Sequence, residues 1–204
     1  MVVIACNTAT AIALDEIRSS LNIPVLGVIH PGARAAIKHT RSGQVGVIGT
    51  EGTIKSGAYE LALRQISPQI EVVSQACPLL VPLVEQGKFD VEQSLETVHL
   101  SLDPILSKPM DTLILGCTHY PFLARAISRV MGPRVSIISS ADETAREVST
   151  ILHHKGQLNT SGLMPVHQFF FCSGNPRVFR SIAETWLGEQ VRVRPVVWQI
   201  PHII

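Results

Sequence analysis

Short unbroken apolar runs alternate along this chain with longer stretches whose apolar residues recur every three or four positions. Residues 1–5 form an apolar run rich in β-branched side chains, and after Cys6-Asn7-Thr8 a helical period extends to about Leu21. The run 24–29 (PVLGVI) predicts a second strand, residues 32–39 a helix and residues 45–48 a third strand. Past the turn 49–52, one helix is predicted to about Gln65 and a strand at 70–74. Helical stretches follow near Val81 and over 90–106, and a strand over 112–115 runs into Gly116-Cys117-Thr118-His119.

Pro121 is placed to open the next helix, where its missing N–H costs nothing. In that helix Phe122, Leu123, Ala126, Ile127 and Val130 share one face. The pattern then predicts a strand at 135–138 and a helix with Ala141, Ala145, Val148 and Leu152 on one side. A strand at 168–172, a helix at 176–187 that aligns Val178, Ile182 and Trp186, and a strand at 191–198 complete the chain. Unalternated apolar strands between amphipathic helices belong to parallel sheets covered on both faces. The fold class is α/β, and ligands of such sheets bind outside the carboxyl ends of the strands.

Two segments repeat one plan: strand, small residue, Cys, Thr-bearing turn, helix, Pro, strand. One reads VVIACNTATAIALDEIRSSLNIPVLGVI and the other DTLILGCTHYPFLARAISRVMGPRVSIIS, with their cysteines 111 positions apart. Such a repeat implies two similar α/β units related by an approximate two-fold axis, with two strand ends facing one cleft.

Composition narrows the class. With 204 residues, 46% apolar and 16% charged, the chain holds enough material for one large domain or two small ones and is no disordered segment. A net charge of +1 lacks the basic excess of a nucleic-acid binder. No run reaches the roughly 18 apolar residues of a membrane helix, and no basic region precedes an apolar stretch at the start. A soluble, cytoplasmic protein is the expectation. Cys6, Cys77, Cys117 and Cys172 form no C-x-x-C pair, so no zinc site is expected and the thiols should be free.

Cys6 and Cys117 each stand where a strand feeds a helix N-terminus. The exposed N–H groups and the dipole there favour an anion. A thiol with an ordinary pKa of about 8.5 is lowered in such a place, so each is expected to be reactive rather than buried. The competing reading of any lone cysteine is a small core hydrophobe, and it is kept for Cys77 and Cys172. Asn7, Thr8 and Thr118 add hydrogen-bonding side chains at the same two turns. Two facing thiols suit one chemistry: one removes a proton from carbon and the other returns one on the opposite face, with no cofactor. The segment GTEGTIKSG fails the phosphate-loop spacing, because Ile54 precedes Lys55-Ser56 where Gly is required.

At CNTATA and GCTHYP, together with IPVLGVIHPGA, GVIGTEGTIKSGAY and ACPLLVPLVEQG, the chain resembles the bacterial glutamate racemases of the cofactor-independent aspartate/glutamate racemase superfamily. The resemblance implies two similar three-layer domains, the first from residues 1–30 and 140–204 and the second from 31–139. It implies that Cys6 and Cys117 are the catalytic thiols acting on opposite faces of the glutamate α-carbon. Asn7, Thr8, Thr118 and His119 match substrate-holding positions, His119 also assisting Cys117, and Glu85 matches an acidic residue near that histidine. No metal and no cofactor are implied; the partner is glutamate itself, a homodimer is admitted, and the D-glutamate product serves peptidoglycan.

The family also carries an Asp-Ser-Gly-type turn after its first strand and a Pro-Tyr-Gly turn later, and neither occurs in this chain. The resemblance therefore implies a first domain lacking two strand–helix units, on the order of 60 residues at about 30 per unit. Other readings stay open at this point: an inactive truncated racemase, a racemase for aspartate or another amino acid, and a single-thiol decarboxylase, which the presence of both cysteines opposes.

Overall fold

A computed structural model describes residues 1–88, 90–162 and 168–198. By packing, the chain divides into two compact units, Met1–Leu158 and Asn159–Ile204. In the first unit, strand β1 (Val2–Ile4) leads into helix α1 (Asn7–Ser20), strand β2 (Val25–Gly27) and helix α2 (Ile29–His39). Strand β3 (Gln44–Gly49), helices α3 (Glu51–Lys55) and α4 (Ala58–Ile66), strand β4 (Glu71–Ala76) and helices α5 (Leu80–Glu85) and α6 (Val91–Leu106) follow. Strand β5 (Thr112–Gly116), a 3-10 turn over Tyr120–Leu123, helix α7 (Ala124–Met131), strand β6 (Ser136–Ser139) and helix α8 (Ser140–His154) complete it.

Four strands make a parallel sheet in the order β4-β3-β5-β6, and β1 pairs in parallel with β2. The α/β expectation is met. The four-stranded sheet lies within the span 31–139 that the sequence assigns to a second domain, and residues 1–30 pack in the same compact unit. Val45, Val47, Ile48, Leu113, Ile114 and Leu115 are fully buried, as strands covered on both faces must be. Register sets Gly49 beside both Ala76 and Gly116, so β3, β4 and β5 end together. The core beneath joins Ile29, Ala33 and Ala36 of α2 to Tyr59, Ala62 and Leu63 of α4 and Ile114 of β5.

Where the structure departs from the sequence pattern, local chemistry explains it. The single helix expected past the turn 49–52 to about Gln65 is two helices. Gly57 sits between them at φ +66°, a left-handed conformation that breaks the ladder and caps α4. Pro121 opens a 3-10 turn, and the α-helix proper starts three residues later. The four apolar residues that the pattern sets on one side of α8 do share a face. Ala141, Ala145, Val148 and Leu152 line an open cavity of about 460 Å³ with Val3, Ala5 and Val28. Ser140 and Thr144 are the buried residues of α8 instead, their hydroxyls donating to the carbonyls of Leu115 and Ser140. Small residues of α2 face that helix, and the close approach of the two helices is filled by Ser140 and Thr144, whose hydroxyls find backbone carbonyls there.

In the second unit strand β7 (Phe170–Cys172), helix α9 (Pro176–Leu187) and strand β8 (Val193–Pro195) form a parallel two-stranded pair with one crossover helix. Asn175 caps α9 by accepting the N–H groups of Arg177 and Val178, and Pro176 occupies the first helical position. Both strands are shorter than the apolar runs that announce them.

Candidate active site

The site is assembled at the carboxyl ends of β1, β3 and β5. Cys6 follows β1 and is the N-cap of α1, its Sγ accepting the Ala9 N–H at 3.4 Å. The residue is exposed, as expected of a working thiol. Asn7 is only 2% exposed. Its Oδ1 accepts the hydroxyl of Tyr59 at 2.7 Å, and its buried Nδ2 has no hydrogen-bond partner among the described residues. A buried donor is costly unless a partner satisfies it. Thr8 turns its Oγ1 to Thr50 at 2.8 Å and to Thr53 at 2.9 Å, while Thr50 caps α3 by accepting the Thr53 N–H. Three hydroxyls thus meet between the first turns of α1 and α3, where helix N-termini favour an anionic group.

Cys117 follows β5 and is 6% exposed. Its surroundings correct the expectation of an unburied thiol at a helix start. The turn Cys117-Thr118-His119 intervenes before the 3-10 segment, and the Tyr120 N–H reaches back to the Cys117 carbonyl. Burial pushes the Cys117 thiol above its ordinary value, and the charge of a Cys6 thiolate adds to that. The N–H groups of His119 and Tyr120 and the Thr118 side chain pull in the opposite direction. The reason for the correction is tertiary: β5 ends inside the core, between the ring of Tyr59 and the fully buried Tyr120.

His119 continues the line. Its Nδ1 lies 3.8 Å from Cys117 Sγ and 3.2 Å from Thr118 Oγ1, and its Nε2 lies 3.3 Å from Glu85 Oε1 at the end of α5. A carboxylate beside one ring nitrogen orients the imidazole, so the line Glu85–His119–Cys117 can move a proton to or from sulfur. Among the described residues no group of three or more His, Cys, Asp or Glu side chains is arranged to hold a metal ion.

All six residues singled out by the sequence, Cys6, Asn7, Thr8, Cys117, Thr118 and His119, fall in this one unit on adjoining turns. Cys77 is a core thiol, fully buried and pushed up to about 12 by that burial. Cys172 is only half-buried in a two-stranded unit too small to enclose it, which corrects the core reading there. Sequence reasoning missed Thr50, Thr53 and Tyr59. The first two carried a signal, since Thr-x-x-Thr directly after a strand is an N-cap pattern at a carboxyl strand end. Tyr59 carried none.

A family model described as Asp/Glu/Hydantoin racemase matches residues 1–148. A glutamate racemase of Bacillus cereus is 52% identical over 191 residues, covering 94% of this chain and 71% of that protein. The crystal structure of a glutamate racemase of Bacillus anthracis superposes with a TM-score of 0.89 at 51% identity, covering 95% of this chain and 72% of that one. A Francisella tularensis glutamate racemase, solved in complex with D-glutamate, gives 0.84 at 31% identity over 97% of this chain and 72% of its own. Sequence and fold agree, and the chain belongs to the Asp/Glu/hydantoin racemase family.

Proposed function

We propose that Cys6 and Cys117 are the two acid/base groups with which this racemase inverts the α-carbon of glutamate. The chain is an isomerase of the glutamate racemase kind. In one direction a thiolate takes the α-proton and leaves a carbanion, and the opposite thiol donates its proton to the other face. The protonated thiol has become a thiolate and the thiolate a thiol, so the cycle closes when the two exchange a proton through solvent or enter the reverse reaction. The observation that carries this reading is the pairing of an exposed Cys6 on the N-cap of α1 with a buried, proton-holding Cys117 that feels its charge. Substrate carboxylates need donors, and Asn7, Thr8 and Thr118 supply them beside the thiols, with His119 relaying the proton of Cys117. D-glutamate for peptidoglycan is the product this role provides.

The same proposal places the enzyme in the cytoplasm; no helix of the described residues is long and apolar enough to cross a membrane. It also includes a homodimer, supported by Ile12 and Leu61, exposed side chains of α1 and α4 that line one groove. The deciding experiment incubates the full chain with L-glutamate, then D-glutamate, in D2O, following the α-proton by NMR. Loss of the signal with appearance of the other enantiomer is expected. Cys6→Ala and Cys117→Ala should each slow racemisation on the order of a thousandfold, the scale of general acid–base catalysis. Full activity in either variant overturns the two-thiol assignment.

A further inference from the structure

We propose that Tyr59 is a positioning residue that braces the two cysteine turns against each other and sets the polarity of the Asn7 amide. It rests on the two-thiol reading for its kinetic consequence and on geometry alone for the rest. Tyr59 is the second residue of α4 and is 2% exposed. The left-handed Gly57 at the head of that helix directs it inward from α3.

Its hydroxyl donates to Asn7, the neighbour of Cys6, at 2.7 Å. Its ring lies against Gly116, the neighbour of Cys117: a Cβ built on Gly116 would stand 3.0 Å from Tyr59 Cε2. On the other edge a Cβ on Gly32 would meet the hydroxyl at 3.4 Å. Two glycines therefore form the slot that one aromatic ring fills. Ser140 borders the same slot, its Cβ 3.1 Å from where a Cβ on Gly32 would stand, and donates to the carbonyl of Leu115, two residues before Cys117. A single side chain thus touches the residue next to each thiol.

The polarity follows from the same bond. With Oδ1 occupied by the Tyr59 hydroxyl, Asn7 has only its N–H2 left to offer, and that group is the buried donor without a partner. A substrate carboxylate accepts and cannot donate, so this is the productive orientation of the amide. Burial keeps the Tyr59 hydroxyl protonated and hence a donor.

Two variants of the full chain separate the roles, in a Cys172→Ser background that leaves Cys77 buried. Tyr59→Phe keeps the ring and frees the amide to turn. Its KM for glutamate should rise about tenfold with kcat within twofold, the signature of lost ground-state binding. Tyr59→Leu empties the slot. The yield of a Cys6–Cys117 cross-link by a short bifunctional methanethiosulfonate, read by intact mass, should fall at least fivefold, whereas Tyr59→Phe should cross-link like the parent. An unchanged KM in Tyr59→Phe, or parental cross-linking in Tyr59→Leu with a cooperative melt, overturns the proposal. Should the parent itself fail to racemise glutamate, the functional reading falls and the cross-linking comparison alone decides the brace.

Discussion

One carbon atom added to one residue tests how tightly the site is built. A methyl on Gly116 would lie 2.7 Å from the Ile48 carbonyl oxygen and 3.0 Å from the Tyr59 ring. The first of these is backbone in the middle of a sheet and has nowhere to go. Gly116→Ala should therefore cost about 2–3 kcal/mol by urea denaturation, in the range of core overpacking, and should lower racemisation as it displaces Cys117. Cys77 makes a second prediction at this scale. Its thiol is raised from 9 to about 12, so the unfolded chain loses that proton first as pH rises. Between pH 9 and 12 the unfolded state binds fewer protons than the folded one, and stability must fall with pH. Three units correspond to about 4 kcal/mol across the window. Urea melts at pH 8 and 10.5 should show a steeper loss in the parent than in Cys77→Ala, in which this contribution is absent.

Among elements, the ends of strands and helices decide what the site can be. Where α2 gives way to β3, Asp111 at the foot of β5 holds the connection: it accepts the Thr40 hydroxyl at 2.7 Å and the N–H groups of Arg41 and Ser42 at 2.8 Å. Partial burial alone would raise this carboxyl, but these bonds and one from the Thr112 hydroxyl outweigh it and hold it well below the usual carboxylate range. The carboxylate form is thus the one that ties β3 to β5, and its contribution is present above the ordinary aspartate pKa and lost as pH falls below it. Asp111→Ala should lower stability by about 2 kcal/mol at neutral pH, the loss of bonds to a charged group, with the deficit shrinking in acid. A deficit that stays constant down to pH 2 would contradict this account. The predicted elements match the observed ones closely where periodicity is strong, as in β3, β5 and α9. They diverge where one glycine breaks a helix and where a 3-10 turn precedes one.

For the whole molecule, the two compact units should differ in persistence. The first unit has a four-stranded sheet buried on both faces. Among its described residues the second has two three-residue strands, one helix with no fully buried side chain, and Phe169, Phe171, Val178 and Trp198 exposed. Two-stranded pairs are marginal by themselves. Amides of β3 and β5 should exchange with deuterium only through global unfolding, while those of β7 and β8 should exchange orders of magnitude faster. Equal protection in both would show that the small unit is held as firmly as the large one.

The sequence by itself determined the α/β class, most of the order of strands and helices, and the two turns that carry Cys6, Asn7, Thr8, Cys117 and Thr118, with His119 singled out by the family resemblance. These follow from local physics: apolar runs demand coverage on both faces, helix starts demand caps, and a repeated Cys-bearing turn shows in the letters wherever the chain goes. Only the tertiary structure decided that Cys6 is exposed and Cys117 buried, since burial depends on what other segments bring to a turn and not on the turn itself. The junction of Thr8 with Thr50 and Thr53, more than forty residues away, is likewise absent from any window of the sequence. Tyr59 shows the limit most plainly. As the second residue of an ordinary amphipathic helix it reads as core, and its place between two cysteine turns exists only because Gly32 and Gly116, far apart in the chain, leave a slot the width of one ring.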